Sequence, residues 1–258
     1  MEYETAQGVT VPALGLGTSG MTGDECRSAV LEAFAMGYRH LDTAQMYDNE
    51  DAVGEAVGAA DLDRQEVFLT TKILPENLAY NDLHDSFADS LDRLDTGYVD
   101  LLLIHAPSED VPLEESLEAM NELQDHGEVR HIGVSNFSVE ETREAIELSE
   151  TPILTNQVKY HPYHPQSELL ELCQAEDLLL TAYTPLAKGE VFDDERLLEI
   201  GTRHGKTPAQ VALRWLIQQA GVITIPQSSN PDHLAENIDL FDFELTEAEM
   251  AEIFDPPA

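Results

Sequence analysis

Positive charge is scarce in this chain of 258 residues. Lys and Arg together number 13 against 51 Asp and Glu, which gives a formal net charge of −38 at pH 7, and only four of the cations are Lys. Such a surface repels phosphate backbones, so nucleic acid is excluded as a partner. It is also far more acidic than solubility requires. Because molar salt shortens the Debye length to about 3 Å, we expect the protein of a halophile.

Cysteine and long apolar runs are scarce as well. The two cysteines, Cys26 and Cys173, fall in predicted helices and offer no disulfide framework. The first residues lack the basic start and apolar core of a signal peptide, and no apolar run reaches the length that spans a bilayer. We therefore predict a soluble cytoplasmic protein without a membrane partner. Hydrophobic residues make up 42% of the chain, which predicts a folded protein rather than a disordered one.

The chain does contain a regular alternation of short apolar runs and helical segments. A hairpin around Gly8, between Tyr3 and Pro12, comes first. The predicted strands that follow are 14–18, 38–42, 67–72, 99–105, 129–134, 153–158, 178–183 and 221–225. The predicted helices are 24–36, 49–59, 81–94, 112–126, 138–148, a helix ending at 175, 193–204, 207–219, 230–238 and a final one capped by Thr246. Thr22 and Ser138 are predicted to cap their helices, the first through a capping box with Glu25.

Eight strand-then-helix units in about 250 residues are typical of a (β/α)8 barrel, the TIM-barrel fold. The sheet is expected to be parallel because each crossover contains a helix. No change of composition marks a linker, so residues 1–258 are predicted to form a single domain with an N-terminal β-hairpin and a short C-terminal helix and tail.

Ionisable side chains stand at the ends of three successive predicted strands. Asp42, Lys72 and His105 each end one, and Tyr47 follows Asp42 by five residues. Active sites of such barrels lie at the C-terminal ends of the strands, and a charged group buried there must be paired or used. These four residues are therefore predicted to form one site. Further polar side chains at strand ends are Asn136, Gln157, Tyr183 and Gln227.

These residue types fit the reduction of a carbonyl group by hydride transfer. The carbonyl oxygen needs a proton, and Tyr47 supplies it readily only if a cation such as Lys72 lowers its pKa from about 10. Asp42 can hold and neutralise a buried Lys72, and His105 can hydrogen-bond the carbonyl oxygen. The competing interpretation is a buried Asp–Lys pair that only stabilises the barrel, which leaves the phenol and the imidazole unexplained.

Two other sequence patterns point to different chemistry and are weaker. Gly15 to Gly20 matches the G-x-G-x-x-G dinucleotide fingerprint, but the predicted helix starts after its third glycine, and eight equal units do not fit an open sheet. His161 and His164 have the spacing of metal ligands, but prolines at 162 and 165 preclude the helix that would put both rings on one face. We therefore predict no metal site. A glycosidase is also disfavoured, because it would need a second carboxylate facing Asp42 and the other strand ends offer none.

The residues at the strand ends resemble the motifs of the aldo-keto reductases. Residues 41–47 (LDTAQMY), 71–72, 100–105, 133–137, 156–157 and 183–186 carry the resemblance, which covers nearly the whole chain. It implies a monomeric enzyme with a nicotinamide cofactor, NADP(H) or NAD(H), bound at the barrel mouth and a small carbonyl substrate. Asp42, Tyr47, Lys72 and His105 would be catalytic by this resemblance. Ser135, Asn136 and Gln157 would hold the carboxamide, Tyr183 would stack on the nicotinamide, and the other implied cofactor contacts are Pro185, Leu186, Gln227, Ser228, His233, Glu236 and Asn237.

The chain departs from the family pattern where the family normally has a lysine and an arginine for the cofactor 2′-phosphate. Gln227 and His233 stand in those places. The helix start at residues 230–231 still offers N–H donors to an anion, although Asp232 works against one. We therefore predict that NADH is used, alone or together with NADPH.

A second departure concerns the substrate pocket. Ser19, Leu74 and Ala106 occupy places where bulky aromatic residues are common in the family, and the chain after Thr246 is short. We expect an open pocket that takes varied aldehydes, ketoaldehydes and sugar-derived ketones. The alternatives are a regulatory barrel that binds cofactor with little turnover and a metal-dependent hydrolase, which would lack ligands at the strand ends.

Overall fold

The computed structural model describes residues 1–254 and begins with a β-hairpin. Strands β1 (Tyr3–Ala6) and β2 (Val9–Pro12) are antiparallel. Gln7 and Gly8 between them both have positive φ angles, of 53° and 78°, which suits a tight two-residue hairpin turn. The predicted hairpin is confirmed.

Eight further strands form one parallel sheet in chain order. They are β3 (Leu16–Gly17), β4 (His40–Asp42), β5 (Phe68–Ile73), β6 (Val99–Ile104), β7 (Val129–Ser135), β8 (Ile153–Lys159), β9 (Leu179–Tyr183) and β10 (Val222–Thr224). The predicted first and last strands of this sheet are longer than the observed β3 and β10. The (β/α)8 fold is confirmed, with helices between the strands.

The two ends of the sheet meet through single bridges rather than a continuous ladder. Leu14 pairs with Thr224 and Gly17 with Gln227, and the Gly17 N–H donates to the Pro226 carbonyl at 3.1 Å. A Cβ atom on Gly17 would lie 2.7 Å from the Ile225 carbonyl oxygen. Glycine therefore permits the close approach that closes the barrel beside its mouth.

Helices connect the strands and cover the outside of the sheet. They are α1 (Gly23–Met36), α2 (Glu50–Ala59), α3 (Tyr80–Arg93), α4 (Leu113–Asp125), α5 (Val139–Leu148), α6 (Ser167–Ala175), α7 (Glu195–His204), α8 (Pro208–Ile217), α9 (Pro231–Ile238) and α10 (Glu247–Phe254). None of these helices is long and apolar enough to cross a bilayer. The predicted C-terminal helix is confirmed as α10, and the tail beyond Phe254 lies outside the described residues.

Helix ends follow the sequence signals with one exception. Ser138 accepts the Glu141 N–H at 3.2 Å, and the Glu141 carboxylate accepts the Ser138 N–H at 2.7 Å, so the predicted cap of α5 is a full capping box. The capping box predicted at Thr22 is wrong, because the Thr22 side chain makes no cap hydrogen bond. The backbone starts α1 instead, with the Cys26 N–H donating to the Thr22 carbonyl.

The hairpin lies at the N-terminal ends of the barrel strands, opposite the predicted site. Gln7 donates to the carbonyl of Ile153 at the start of β8, and Glu4 accepts the N–H of Gly221 just before β10. Ala6 and Val11 join an apolar cluster with side chains of the barrel interior, namely Leu101, Leu103, Leu154, Leu179 and Ile223. The interior is therefore filled on the hairpin side, and the opposite end is left for chemistry.

Candidate active site

Asp42, Tyr47, Lys72 and His105 come together at the C-terminal end of the barrel, as predicted. Parallel pairing of β4 with β5 places Asp42 beside the Lys72 strand. The Lys72 Nζ donates to Asp42 Oδ1 at 2.5 Å, to the Thr43 carbonyl at 2.8 Å and to the Tyr47 hydroxyl at 3.3 Å. The Tyr47 and His105 rings pack edge to face with centroids 5.9 Å apart.

Lys72 remains charged although its side chain is fully buried. Burial lowers the pKa of the ammonium, but Asp42 and Tyr47 together raise it by a larger amount, so the net shift of the pKa is upward. The second oxygen of Asp42 accepts a hydrogen bond from the Gln157 Nε2 at 2.7 Å. Both carboxylate oxygens are thus bonded, which is the condition under which a buried ion pair is tolerated. The direction of this shift agrees with the expectation that Asp42 holds Lys72 in its charged form.

Lys72 lowers the pKa of Tyr47, as the sequence suggested, but the net shift is upward and the pKa does not fall below its ordinary value. Burial raises the pKa of the phenol, and the positive charge of Lys72 opposes this without cancelling it. The phenol therefore carries its proton at neutral pH. A charged Lys72 beside it stabilises the phenolate that forms once the proton has been given away.

A 3₁₀ turn, Gln45–Tyr47, holds the phenol in place. The Gln45 Oε1 accepts the N–H of Leu74 at 3.0 Å, one residue beyond β5, and its Nε2 donates to the Ser86 carbonyl at 3.0 Å. Asp48 ends the turn in the left-handed conformation with φ of 52°. The Tyr47 turn is thereby tied to both the Lys72 strand and α3.

His105 is neutral at physiological pH. Burial, and after it the charge of Lys72, lowers the pKa of the imidazole to about 4. Its Nδ1 is buried without a hydrogen-bond partner among residues 1–254. A buried N–H without an acceptor is rarer than a bare lone pair, so we assign the ring hydrogen to Nε2. The imidazole can then donate a hydrogen bond and cannot act as a strong acid.

These side chains line an open cavity of about 430 Å³. The residues around it are Gly17, Ser19, Asp42, Tyr47, His105, Ser135, Asn136, Gln157, Tyr183, Thr184, Pro185, Leu186, Lys188, Ile225, Pro226 and Gln227. Lys72 lies beneath the lining, held by Asp42 and Tyr47. Gly17, Thr184, Lys188, Ile225 and Pro226 line the cavity but were not predicted as site residues. Of these, Lys188 had a sequence signal, because lysine is so scarce in the chain.

A connected group of amides and hydroxyls forms one wall of the cavity. Asn136, in the left-handed conformation with φ of 61°, donates from Nδ2 to the His105 carbonyl at 2.9 Å. The Tyr183 hydroxyl donates to the Asn136 Oδ1 at 2.8 Å, and the Ser135 hydroxyl donates to the Gln157 carbonyl at 2.8 Å. The half-buried Tyr183 ring is therefore fixed beside several amide groups.

The remaining implied cofactor contacts follow β10. Gln227 lines the cavity, and the Ser228 hydroxyl accepts the N–H of Asn230, which caps α9. His233 is exposed on α9, while Asn237 is buried there. Ser228, His233 and the last pair, Glu236 and Asn237, lie outside the cavity lining. The Glu236 carboxylate accepts a hydrogen bond of 2.5 Å from the Thr207 hydroxyl at the start of α8.

His161 and His164 face each other across a short antiparallel bridge, with ring centroids 5.7 Å apart. The Nδ1 of His161 accepts the Tyr163 N–H at 3.2 Å, which stabilises the loop. Within residues 1–254, no group of three or more His, Cys, Asp and Glu side chains is placed to hold a metal ion.

Comparison with known proteins gives the class of this barrel, which has a buried Asp–Lys pair, a phenol and a neutral imidazole at its mouth. The model of the aldo/keto reductase family matches residues 13–255. The chain therefore belongs to the aldo/keto reductase family. Its membership confirms the resemblance found in the sequence motifs.

Relatives of known name or structure are similar over nearly the whole chain. Glyoxal reductase of Bacillus subtilis (strain 168) is 39% identical over 247 residues, which are 95% of this chain and 89% of the relative. A crystal structure of a provisionally assigned 2,5-diketo-D-gluconic acid reductase B is 46% identical, with a TM-score of 0.97 over 98% of this chain and 90% of that one. A variant of Gox0644 in complex with NADPH is 36% identical, with a TM-score of 0.91 over 98% of this chain and 92% of that one.

Proposed function

We propose that this protein reduces aldehydes and ketones to alcohols with a nicotinamide cofactor, and that Tyr47 is the proton donor. The observation that carries the proposal is the contact of 3.3 Å between the Tyr47 hydroxyl and a fully buried Lys72 ammonium that Asp42 neutralises. This arrangement opens onto a cavity large enough for a small molecule. A purely structural ion pair would need neither the phenol nor the adjacent imidazole.

Each of the four side chains has a distinct task in this reaction. A nicotinamide cofactor held in this cavity would supply the hydride for the carbonyl carbon. Tyr47 gives its proton to the carbonyl oxygen, and Lys72 stabilises the phenolate that remains. Asp42 keeps Lys72 charged and in position, with Gln157 bonded to its other oxygen. His105 donates a hydrogen bond from Nε2 to the carbonyl oxygen and so orients the substrate.

The amide wall of the cavity fits a nicotinamide ring. Ser135 and Asn136 carry hydroxyl and amide groups that can exchange their present bonds for bonds to a carboxamide. Gln157 can offer its amide oxygen while its Nε2 stays bonded to Asp42, and the Tyr183 ring offers a flat surface for stacking. Pro185 and Leu186 add apolar area beside it. We propose these six residues as the nicotinamide half of the site.

We further propose that Gln227, Ser228, His233, Glu236 and Asn237 bind the adenosine half and that NADH is accepted as well as NADPH. The support is the amide of Gln227 and the imidazole of His233 at positions where a fixed positive charge would favour a 2′-phosphate. The test is the ratio of kcat/KM for NADH and NADPH. We expect the two values within about tenfold of each other, and a preference for NADPH of about a thousandfold would contradict the proposal.

The substrate class follows from the shape of the cavity and from the names of the relatives. The cavity is open, and Ser19 in its lining is not a bulky aromatic residue, while Leu74 and Ala106 lie outside the lining. One relative is named for the reduction of glyoxal and one neighbour for 2,5-diketo-D-gluconic acid. We propose that small dicarbonyls and sugar-derived ketones are reduced with modest affinity.

The experiment that tests the function follows the oxidation of NADPH and NADH by glyoxal in about 1 M KCl. We expect oxidation that depends on glyoxal and saturates with it. Tight cofactor binding without turnover would favour the regulatory alternative, although two of the proteins named above carry reductase names. A protein that shows no cofactor binding and no turnover would contradict the proposal.

A further inference from the structure

The four lysines of the chain are distributed unevenly over the structure. Lys72 is paired with Asp42, and Lys206 is paired with Asp239 at 3.1 Å and Asp242 at 2.6 Å. The two others, Lys159 and Lys188, have no carboxylate within ion-pair distance among residues 1–254. Lys188 is exposed and lines the catalytic cavity, whereas Lys159 does not line it. A protein with only four lysines therefore has one ammonium group without an ion-pair partner in the lining of its catalytic cavity.

Negative charge is nearly absent from the wall of this cavity. Asp and Glu make up 51 of the 258 residues, yet Asp42 is the single acidic residue among those that line the cavity, and Lys72 already neutralises it. Lys188 is the one Lys or Arg in the lining. The cavity wall therefore carries a net positive charge in a strongly negative molecule, which favours the entry of an anion.

The backbone around Lys188 adopts a conformation that ordinary residues avoid. Ala187, Lys188 and Gly189 have φ angles of 48°, 54° and 99°, which makes three left-handed residues in a row. Hydrogen bonds from the Ala187 N–H to the Thr184 carbonyl at 3.0 Å and from the Gly189 N–H to the Leu186 carbonyl at 2.8 Å hold the turn. Left-handed non-glycine residues are strained, and such strain clusters at functional sites.

We propose that the Lys188 ammonium binds an oxyanion of the bound ligand, either a phosphate of the dinucleotide or a carboxylate of the substrate. The left-handed turn keeps its Cα on the cavity wall, and the flexible side chain reaches the anion as a point charge. This inference rests on the proposed function. It gives the cavity lining a cation at residue 188, whereas Gln227 in the same lining is uncharged.

The test compares Lys188→Gln with wild type and with Lys159→Gln. The control removes the same charge from the chain at a residue that lies outside the cavity lining. Dissociation constants of NADH and NADPH are measured from nicotinamide fluorescence, and KM is measured for neutral glyoxal and for anionic glyoxylate, at about 0.1 M and about 1 M KCl. We expect Lys188→Gln to weaken the binding of one anionic ligand about fivefold at the lower salt concentration and less at the higher one.

The pattern of losses identifies the anion. Equal losses for NADH and NADPH indicate the diphosphate, a loss for NADPH alone indicates the 2′-phosphate, and a higher KM for glyoxylate but not glyoxal indicates a substrate carboxylate. Lys188→Arg should restore binding in each case. A Lys188→Gln protein that keeps the wild-type melting temperature and every wild-type constant would overturn the inference alone. A wild type that binds neither dinucleotide would overturn the proposed function as well.

Discussion

Individual side chains at the barrel mouth divide the work of acid catalysis between burial and charge. Burial keeps the proton on Tyr47, and Lys72 lowers the free energy of the phenolate formed when the proton leaves. Burial also keeps His105 neutral, so that it serves as a hydrogen-bond donor rather than as a competing acid. The proton that reaches the substrate therefore has one source, the phenol.

This division predicts the pH dependence of the reduction. Reduction needs the protonated phenol, whose raised pKa keeps it protonated to beyond the ordinary tyrosine value of about 10. His105 gains a proton only near its lowered pKa of about 4. We expect kcat to be constant between about pH 6 and about pH 9.

Steady-state kcat with saturating cofactor and glyoxal, at constant ionic strength, checks this prediction. His105→Gln serves as the control and should leave the alkaline side of the profile unchanged. A fall in kcat centred near neutral pH would show that Tyr47 loses its proton there and that our assignment of its pKa is wrong.

The identity of the four central residues could be predicted from the sequence, because each one ends or follows a strand of a recognisable barrel. The direction of the pKa shift of Tyr47 could not be predicted. It depends on how deeply the phenol is buried, and the sequence does not give that depth. The position of Lys188 was missed for a similar reason. A left-handed turn of three residues carries it into the cavity wall, and no local pattern predicts that turn.

Among the helices, α2 connects the catalytic turn to the rest of the molecule. Its first residue, Glu50, accepts hydrogen bonds from the Thr71 hydroxyl at 2.6 Å and from the Arg93 guanidinium at 2.7 Å. Gly54 in the same helix packs so closely on the end of α3 that a Cβ would lie 2.5 Å from the Leu94 carbonyl oxygen. The Tyr47 turn is thus followed at once by a helix that is fixed to β5 and α3.

Alanine substitutions at two glycines of α2 are predicted to change the free energy of unfolding in opposite directions. Gly54→Ala should lower the free energy of unfolding by about 1 to 3 kcal/mol, because backbone atoms of Leu94 must move to make room. Gly58 is exposed, and a Cβ added there would point into open space. Gly58→Ala should therefore raise the free energy of unfolding by up to about 1 kcal/mol, since alanine favours the helix.

Urea unfolding of the two variants beside wild type measures both changes, and Gly58→Ala is the control for the loss of glycine as such. Equal effects of the two substitutions would contradict the packing argument. A Gly54→Ala protein as stable as wild type would do so too.

At the scale of elements the sequence predicted the number, type and order of the barrel units. The predicted lengths of β3 and β10 were too great, because the sheet closes there through isolated bridges around Gly17 rather than through a full ladder. It was also wrong about the Thr22 cap. A threonine and a glutamate at the right spacing allow a capping box, but the side chain does not form the bond.

The whole molecule combines an extremely acidic composition with a catalytic cavity that is almost free of acidic residues. This contrast favours anionic ligands in a chain that repels anions elsewhere. The halophilic origin, the cytoplasmic location, the monomeric state and the single domain over residues 1–258 remain predictions, since they rest on the sequence and the fold does not test them.

The central claim, that Tyr47 donates the proton in a nicotinamide-dependent carbonyl reduction, is tested most directly by Tyr47→Phe. Wild type and variant are compared for glyoxal-dependent NADPH and NADH oxidation in about 1 M KCl, with cofactor dissociation constants measured alongside. We predict that kcat falls about a hundredfold or more while cofactor binding is unchanged, because only the proton donor is lost. A variant that reduces glyoxal at the wild-type rate would contradict the claim.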